Sequence, residues 1–279
     1  MPGETLTIGL IAGGKQFPVL VAEGVKARGH RLVVAGFTGH TNMDVVPLAD
    51  EWQELKLGKL NKLIKYLKSN RVDRIIMAGT IEKPKAMDVR HLDMRAVRLV
   101  FSRKNKGDSA LLGSLANEFE KEGMPVVPAH VFLPELLTPE GILTRRTPDE
   151  REWEDLAFAW KIAKELGRMD IGQCLVVREG VVAAVEALEG TDEAIRRGCA
   201  FGGHGCVVVK VFKPGQQQEV DLPSFGLDTL RIMADGKAAC LGIEAGKSLF
   251  FDQEATLAFA DANGISIVGL SGEFLKARE

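Results

Sequence analysis

Residues 5–18 read TLTIGLIAGGKQFP, an apolar run that ends in Gly13-Gly14 and hands over to a helical pattern opened by Phe17-Pro18. That pattern reaches Ala27 and stops at Gly29. Strand, glycine turn and helix in this order begin a Rossmann-like domain, because glycine permits the sharp turn between a buried parallel strand and its helix. Downstream the alternation continues. Residues 31–37 (RLVVAGF) form the next apolar run, Leu60, Leu63, Ile64 and Leu67 recur at i, i+3, i+4 and i+7, and residues 73–78 (DRIIMA) end in Gly79-Thr80. The spacing predicts an amphipathic helix ending near Asn70 between two strands. Another helical stripe, Leu112, Leu115, Ala116 and Phe119, follows Gly107-Asp108-Ser109, and residues 125–128 (PVVP) read as a short fourth strand. Strands alternating with helices predict a mostly parallel sheet with helices on both faces.

From 133 to 149 the periodicity fades and prolines stand among polar residues, which marks an interdomain linker. The expected organisation is α/β in two domains: an N-terminal Rossmann-like parallel sheet over 1–132, the linker 133–149, and a C-terminal mixed α/β domain over 150–279. The second half opens with a helix from about Glu150 to Leu166, closed by Gly167. Residues 170–226 organise the rest of this half: two apolar runs broken by Arg178-Glu179-Gly180 predict a hairpin, and residues 186–192 lead into a helix. A strand over 205–212 then meets Lys213-Pro214-Gly215 and the segment DLPSFG that starts at Asp221. A helix over 227–234, strands at 238–242 and 248–251, a helix capped by Asp252, and a last strand over 265–270 complete the domain.

With 46% hydrophobic content, 279 residues suffice for one large core or two ordinary ones. The 36 Lys and Arg against 38 Asp and Glu leave a formal net charge of −2, so no global field favours nucleic acid or an anionic membrane. An anionic ligand must be met locally. Cys174, Cys199, Cys206 and Cys240 show neither a CxxC pair nor a disulfide-framework spacing, as in a reducing compartment. With neither a signal-peptide pattern nor a run of about 20 apolar residues, a soluble, cytoplasmic protein is expected.

Several motifs invite chemistry, and each has a plainer explanation. Ala12, Gly13 and Gly14 can let a phosphate or nucleotide approach a helix N-terminus, or can be a structural turn. The spacing is not GxGxxG and no acid ends the second strand, which argues against a dinucleotide cofactor and the oxidoreductase it would serve. GIEAGKS, residues 242–248, has three residues between its glycines where a Walker loop has four, and a strand comes after it. Cys199, His204 and Cys206 offer only three soft ligands, too few for a structural zinc site. The lysines at 59, 62, 65 and 68 read as a solvated helix face. Asp108 and Thr191 both precede helical patterns as N-caps, a role that leaves an anion-binding helix start available. Asp221 precedes Leu222-Pro223 in an extended segment, where a carboxylate either binds a hard cation or stabilises a turn.

The ordered series GLIAGGKQFP, MAGTIEKP, KGDSALL, DIGQ with VVREG, EALEGTDEAIRR, VVVKVFKPGQ, VDLPSFG and GIEAGKSLFFD resembles the LpxI family of UDP-2,3-diacylglucosamine pyrophosphatases of lipid A biosynthesis, over nearly the full length. The resemblance implies a two-domain hydrolase with substrate between the domains. Water would attack the α-phosphorus of UDP-2,3-diacylglucosamine with Mg²⁺ present, giving UMP and 2,3-diacylglucosamine 1-phosphate (lipid X). It implies that Asp221 is the catalytic aspartate and a metal ligand. Implied substrate contacts are Ala12, Gly13, Gly14, Gly79, Thr80, Lys106, Asp108, Gln173, Glu186, Gly190, Thr191, Asp192, Lys210 and Lys213. Such an enzyme takes a small glycolipid nucleotide and no nucleic acid, with peripheral contact at the inner membrane surface. A homodimer is the expected assembly from the frequency of symmetric oligomers. The competing expectation is a non-catalytic nucleotide-sugar or lipid-binding module, in which Asp221 merely holds a turn.

Overall fold

The computed structural model describes residues 4–81, 92–101, 108–214 and 222–278, with the backbone alone at 108–110. Two compact units meet in sequence between Pro134 and Glu135.

In the first unit, β1 (Thr7–Ala12), β2 (Arg31–Phe37), β3 (Glu51–Leu55) and β4 (Arg74–Ala78) form a parallel sheet in the order β3-β2-β1-β4 among the described residues. β1 and β2 are nearly continuous apolar runs because both of their faces are covered. Ile11, Val33, Ala35 and Ile75 pack into one core with residues of α2 (Leu60–Ser69), α3 (Met94–Phe101) and α4 (Asp108–Lys121), while the alternating Leu10, Leu32, Val34 and Ile76 are fully buried too. α1 (Phe17–Ala27) starts with Pro18 in its first turn, where a missing N–H costs nothing, and buries Val21, Ala22 and Val25. The order reverses direction between β1 and β4, so their carboxyl ends mark the topological switch point, the position near which doubly wound sheets hold ligands.

Two features depart from the expectation. EWQEL forms β3 although only Leu55 is buried, since an edge strand needs backbone pairing with β2 more than an apolar face. Residues 125–128 make a single bridge rather than a strand: Ile75 N–H donates to the Pro125 carbonyl and Val127 N–H to that of Ile75.

The second unit holds a mixed sheet in the order β5-β12-β10-β8-β6-β7. Its parallel centre is β8 (Val207–Lys210), β10 (Cys240–Glu244) and β12 (Ser266–Leu270), and β5 (Gly141–Ile142), β6 (Cys174–Arg178) and β7 (Val181–Val185) run antiparallel to their neighbours. α5 (Glu150–Arg168) and α6 (Thr191–Gly202) each contribute to a separate apolar core cluster of this unit, and β9 (Ser224–Phe225) pairs with β11 (Leu249–Phe250) beyond the main sheet. α7 (Leu227–Asp235), α8 (Gln253–Ala262) and α9 (Gly272–Lys276) complete the unit. The β6–β7 hairpin turns at Glu179 and Gly180, both at positive φ, and the buried Asp155 carboxylate accepts both of their N–H groups at 2.8 and 2.7 Å.

Residues 135–149 belong to this unit and are not a free linker. β5 pairs with β12, and the Arg146 guanidinium binds the Glu152 carboxylate at 2.7 and 2.9 Å. α5 runs past Gly167 to Arg168, because that glycine serves a close approach rather than a stop. Asp252 occupies the N-cap of α8 in a left-handed conformation, without a side-chain cap bond. Among the described residues no helix is long and apolar enough to cross a membrane.

Candidate functional site

In the first unit the two glycine turns lie at the ends of β1 and β4 and are zipped to each other. Gly13 N–H donates to the Ala78 carbonyl and Gly14 N–H to that of Thr80, each at 2.8 Å, while Thr80 N–H returns a bond to Gly14 at 3.4 Å. A Cβ on Gly13 would stand 2.8 Å from both the Gly79 carbonyl carbon and the Thr80 oxygen. Gly79, at φ 89°, would bring a Cβ to 2.6 Å from the Gly14 oxygen. The glycines therefore let two turns approach. Since both N–H groups of Gly13-Gly14 are committed within the protein, their amides form no free phosphate cradle. A third segment closes the end of the sheet: the Thr41 hydroxyl donates to the Ala12 carbonyl at 2.6 Å, and Asn42 N–H to that of Gly13 at 3.1 Å. Gly79 and Thr80 remain exposed.

The second unit gathers most of the remaining candidates where β6 begins and β8 ends. Cys174 is paired with Lys210 in register. Glu186, 8% exposed, accepts the Thr191 hydroxyl at Oε1 (2.9 Å) and the Gln173 N–H at Oε2 (3.1 Å). Thr191 is thus not the N-cap. Gly190, at φ 84°, occupies that position, and Thr191 begins α6 with its hydroxyl turned to a carboxylate five residues back. A tertiary carboxylate outcompetes the local capping bond because a charge-assisted hydrogen bond is the stronger one. Asp192 lies in the first turn of α6, where a negative charge suits the helix dipole.

Lys210 is 7% exposed, and its ammonium donates to the Ser224 carbonyl at 2.8 Å. Among the described residues no carboxylate stands within ion-pair distance of it. One thiol reports on this surrounding charge: burial pushes Cys174 up to about 12, the carboxylates of Glu186 and Asp192 add to the rise, and Lys210 opposes it. Among the described residues the buried Gln173 side-chain oxygen has no hydrogen-bond partner. Lys213 pairs with Asp170 at 3.0 Å. The unit therefore offers a buried ammonium, a hydrogen-bonded carboxylate, an unsatisfied amide oxygen and a helix start together, which suits recognition of a polar, anionic ligand.

Asp221 and Lys106 lie outside the described residues, as does the side chain of Asp108, whose backbone begins α4. Cys199 and Cys206 are buried thiols, and the Cys206 thiol donates to the Gly203 carbonyl at 3.1 Å. Among the described residues no three His, Cys, Asp or Glu side chains gather to hold a metal. Sequence reasoning overlooked Lys164, Asp170 and Glu244, which surround the chain as it leaves β8. The available signal was an apolar strand, CLGIE, that ends on a buried acid.

The LpxI N-terminal domain model matches residues 7–136, and the LpxI C-terminal domain model matches residues 139–268. The chain is 36% identical to the UDP-2,3-diacylglucosamine pyrophosphatase LpxI of Caulobacter vibrioides over 277 residues, 94% of this chain and 97% of the relative. Among solved structures, the ADP complex of N5-carboxyaminoimidazole ribonucleotide synthetase is similar over 62% of this chain and 32% of its own, at 16% identity and TM-score 0.29. The L-amino acid ligase of Bacillus licheniformis is similar over 70% and 42%, at 10% identity and TM-score 0.29. Likeness at that TM-score carries no argument about fold or ligand.

Proposed function

From the premise that this chain belongs to the LpxI family, we propose that it is a hydrolase that cleaves the pyrophosphate bond of UDP-2,3-diacylglucosamine in lipid A biosynthesis, releasing UMP and lipid X. The observation that carries this reading is the 36% identity to a curated UDP-2,3-diacylglucosamine pyrophosphatase along 94% of the chain.

The chemistry of the second unit supports it. A pyrophosphate ester brings two negative charges, and hydrolysis develops more on the bridging oxygen. Lys210 is a buried cation whose one hydrogen bond among the described residues goes to a neutral carbonyl. Such a charge is costly until an anion meets it, so an arriving phosphate relieves the site as it binds. The exposed Gly79-Thr80 turn at the switch point of the first unit is assigned to the nucleotide half, as ligand placement in doubly wound sheets suggests. Asp221 is assigned the catalytic role.

Mg²⁺ is proposed as the cofactor. A hard cation takes oxygen donors and often only one or two carboxylates, completing its shell with phosphates and water. Asp221 with the substrate's own phosphates fits that donor set, whereas both Glu186 oxygens are already engaged. When bound, Mg²⁺ supplies charge neutralisation on the phosphates and a more acidic water. The carboxylate of Asp221 orients the attacking water, and Lys210 stabilises charge on the departing phosphate. Peripheral contact with the inner membrane surface, where the diacyl substrate resides, and a homodimer are part of the same proposal.

Turnover in H₂¹⁸O tests the reaction and its direction of attack together. Label in UMP supports attack at the α-phosphorus, the direction that the family resemblance implies. Label in the sugar 1-phosphate would move attack to the β-phosphorus and leave hydrolysis standing. Binding of substrate with no release of either product would replace the hydrolase with a binding module.

A further inference from the structure

Where β8 ends, Val211 N–H still donates to the Gln173 carbonyl at 2.9 Å, and beyond it side chains hold the main chain. The β8–β10 register finishes at Lys210 opposite Ile243. Two residues on, the Phe212 N–H donates to Glu244 Oε2 at 2.9 Å, and Lys164 Nζ donates to the Phe212 carbonyl, also at 2.9 Å. The two side chains also bind each other, with Lys164 Nζ 2.8 Å from Glu244 Oε2 and 3.1 Å from Oε1. Phe212 is therefore gripped through both of its main-chain polar groups by one ion pair.

The C-terminal turn of α5 adds to the grip. A Cβ on Gly167 would lie 3.0 Å from Pro214 Cδ and 3.2 Å from Lys213 Cα, so the helix backbone touches the exiting chain. Just past the helix, Asp170 takes the Lys213 ammonium.

An ion pair with Glu244 buried and Lys164 about a fifth exposed is a poor device for stability, because desolvation offsets much of its Coulombic gain. It is a good device for direction: a carboxylate that accepts one N–H and an ammonium that reaches one carbonyl tolerate little rotation of the peptide between them. We propose that Lys164 and Glu244 are positioning residues of the hydrolysis. They fix the path of residues 211–214, and thereby Lys210 two residues before Phe212 and the point from which the chain continues toward Asp221. This role rests on the hydrolase reading.

Three variants test it, each read by UMP release and by thermal midpoint. Lys164→Met frees the Phe212 carbonyl and leaves the buried Glu244 carboxylate with only the longer 3.3 Å contact to the more exposed Lys247, so both turnover and midpoint fall. The double variant K164M/E244Q leaves no unpaired buried charge, and its glutamine oxygen still accepts the Phe212 N–H. Its midpoint is expected to return to that of the wild type while kcat stays at least tenfold low and KM changes less than twofold. Lys164→Arg, which keeps a cationic donor, is expected to recover at least half of the wild-type kcat. A double variant that regains turnover together with stability would overturn the positioning role, since the pair would then serve folding alone. A wild type that itself releases no UMP would overturn the hydrolase reading, and this role with it.

Discussion

Gly79→Ala places a methyl group where the two switch-point turns touch. Gly79 has φ 89°, a region that costs an L-residue about 1–2 kcal/mol. The new Cβ would also stand 2.6 Å from the Gly14 oxygen and 2.7 Å from Pro18 Cγ. Backbone cannot yield there without parting Gly14 from Thr80, whose two hydrogen bonds are worth roughly 1 kcal/mol each. Together the loss is about 3–4 kcal/mol, a large fraction of a domain's net stability. Two other glycines separate the contributions. Gly39 has φ 76° with open space around it, so Gly39→Ala carries only the backbone strain, about 1 kcal/mol. Gly13 is not in the left-handed region but meets backbone at 2.8 Å, so Gly13→Ala carries only the collision, about 2 kcal/mol. Urea unfolding followed by Trp52 fluorescence, in a W153F/W160F background, reads the first unit alone. At a slope near 2 kcal/mol per molar urea, Gly79→Ala lowers the midpoint by about 1.5–2 M and Gly39→Ala by about 0.5 M. Equal shifts for the two would refute the claim that close approach, and not φ alone, selects glycine at position 79.

Lys210→Met removes the buried ammonium while keeping its length. Because its described partner is a neutral carbonyl, stability should hold or rise, while UMP release falls by about 10²–10³-fold as a charge-assisted contact to the phosphates is lost. Urea midpoint and turnover on the same preparation check this, and retained turnover would remove Lys210 from the site. Cys174, with its thiol held up at about 12, should resist iodoacetamide at pH 8.5 until urea is added. Its folded value lies above its unfolded one, so the stability it contributes is complete below about pH 8.5 and declines as pH rises toward 12. Cys174→Ala should flatten that decline in part, leaving the share of Cys240, which burial also raises.

The interior of both sheets is legible in the sequence and the edges less so. TIGLIA and RLVVAGF are buried on both faces, and such burial leaves a continuous apolar run. EWQEL was missed because its side chains stay mostly exposed and only its backbone commits it to the sheet. Gly167 read as a helix stop, since nothing local announces that Lys213 and Pro214 will press against it. The site divides in the same way. Glu186 and Thr191 are five residues apart and share one motif, so their neighbourhood was visible even though Thr191 turned out to bind Glu186 instead of capping its helix. Lys164 and Glu244 stand 80 residues apart, and their meeting at Phe212 exists only once α5 has folded onto β8.

Release of UMP from UDP-2,3-diacylglucosamine, with Mg²⁺ or with chelator, by the wild type and by Asp221→Ala, bears most directly on the central claim. Metal-dependent release by the wild type, lost in the variant while its thermal midpoint and substrate affinity persist, is the expected result. A folded wild type that binds the substrate and releases no UMP under either condition would contradict it.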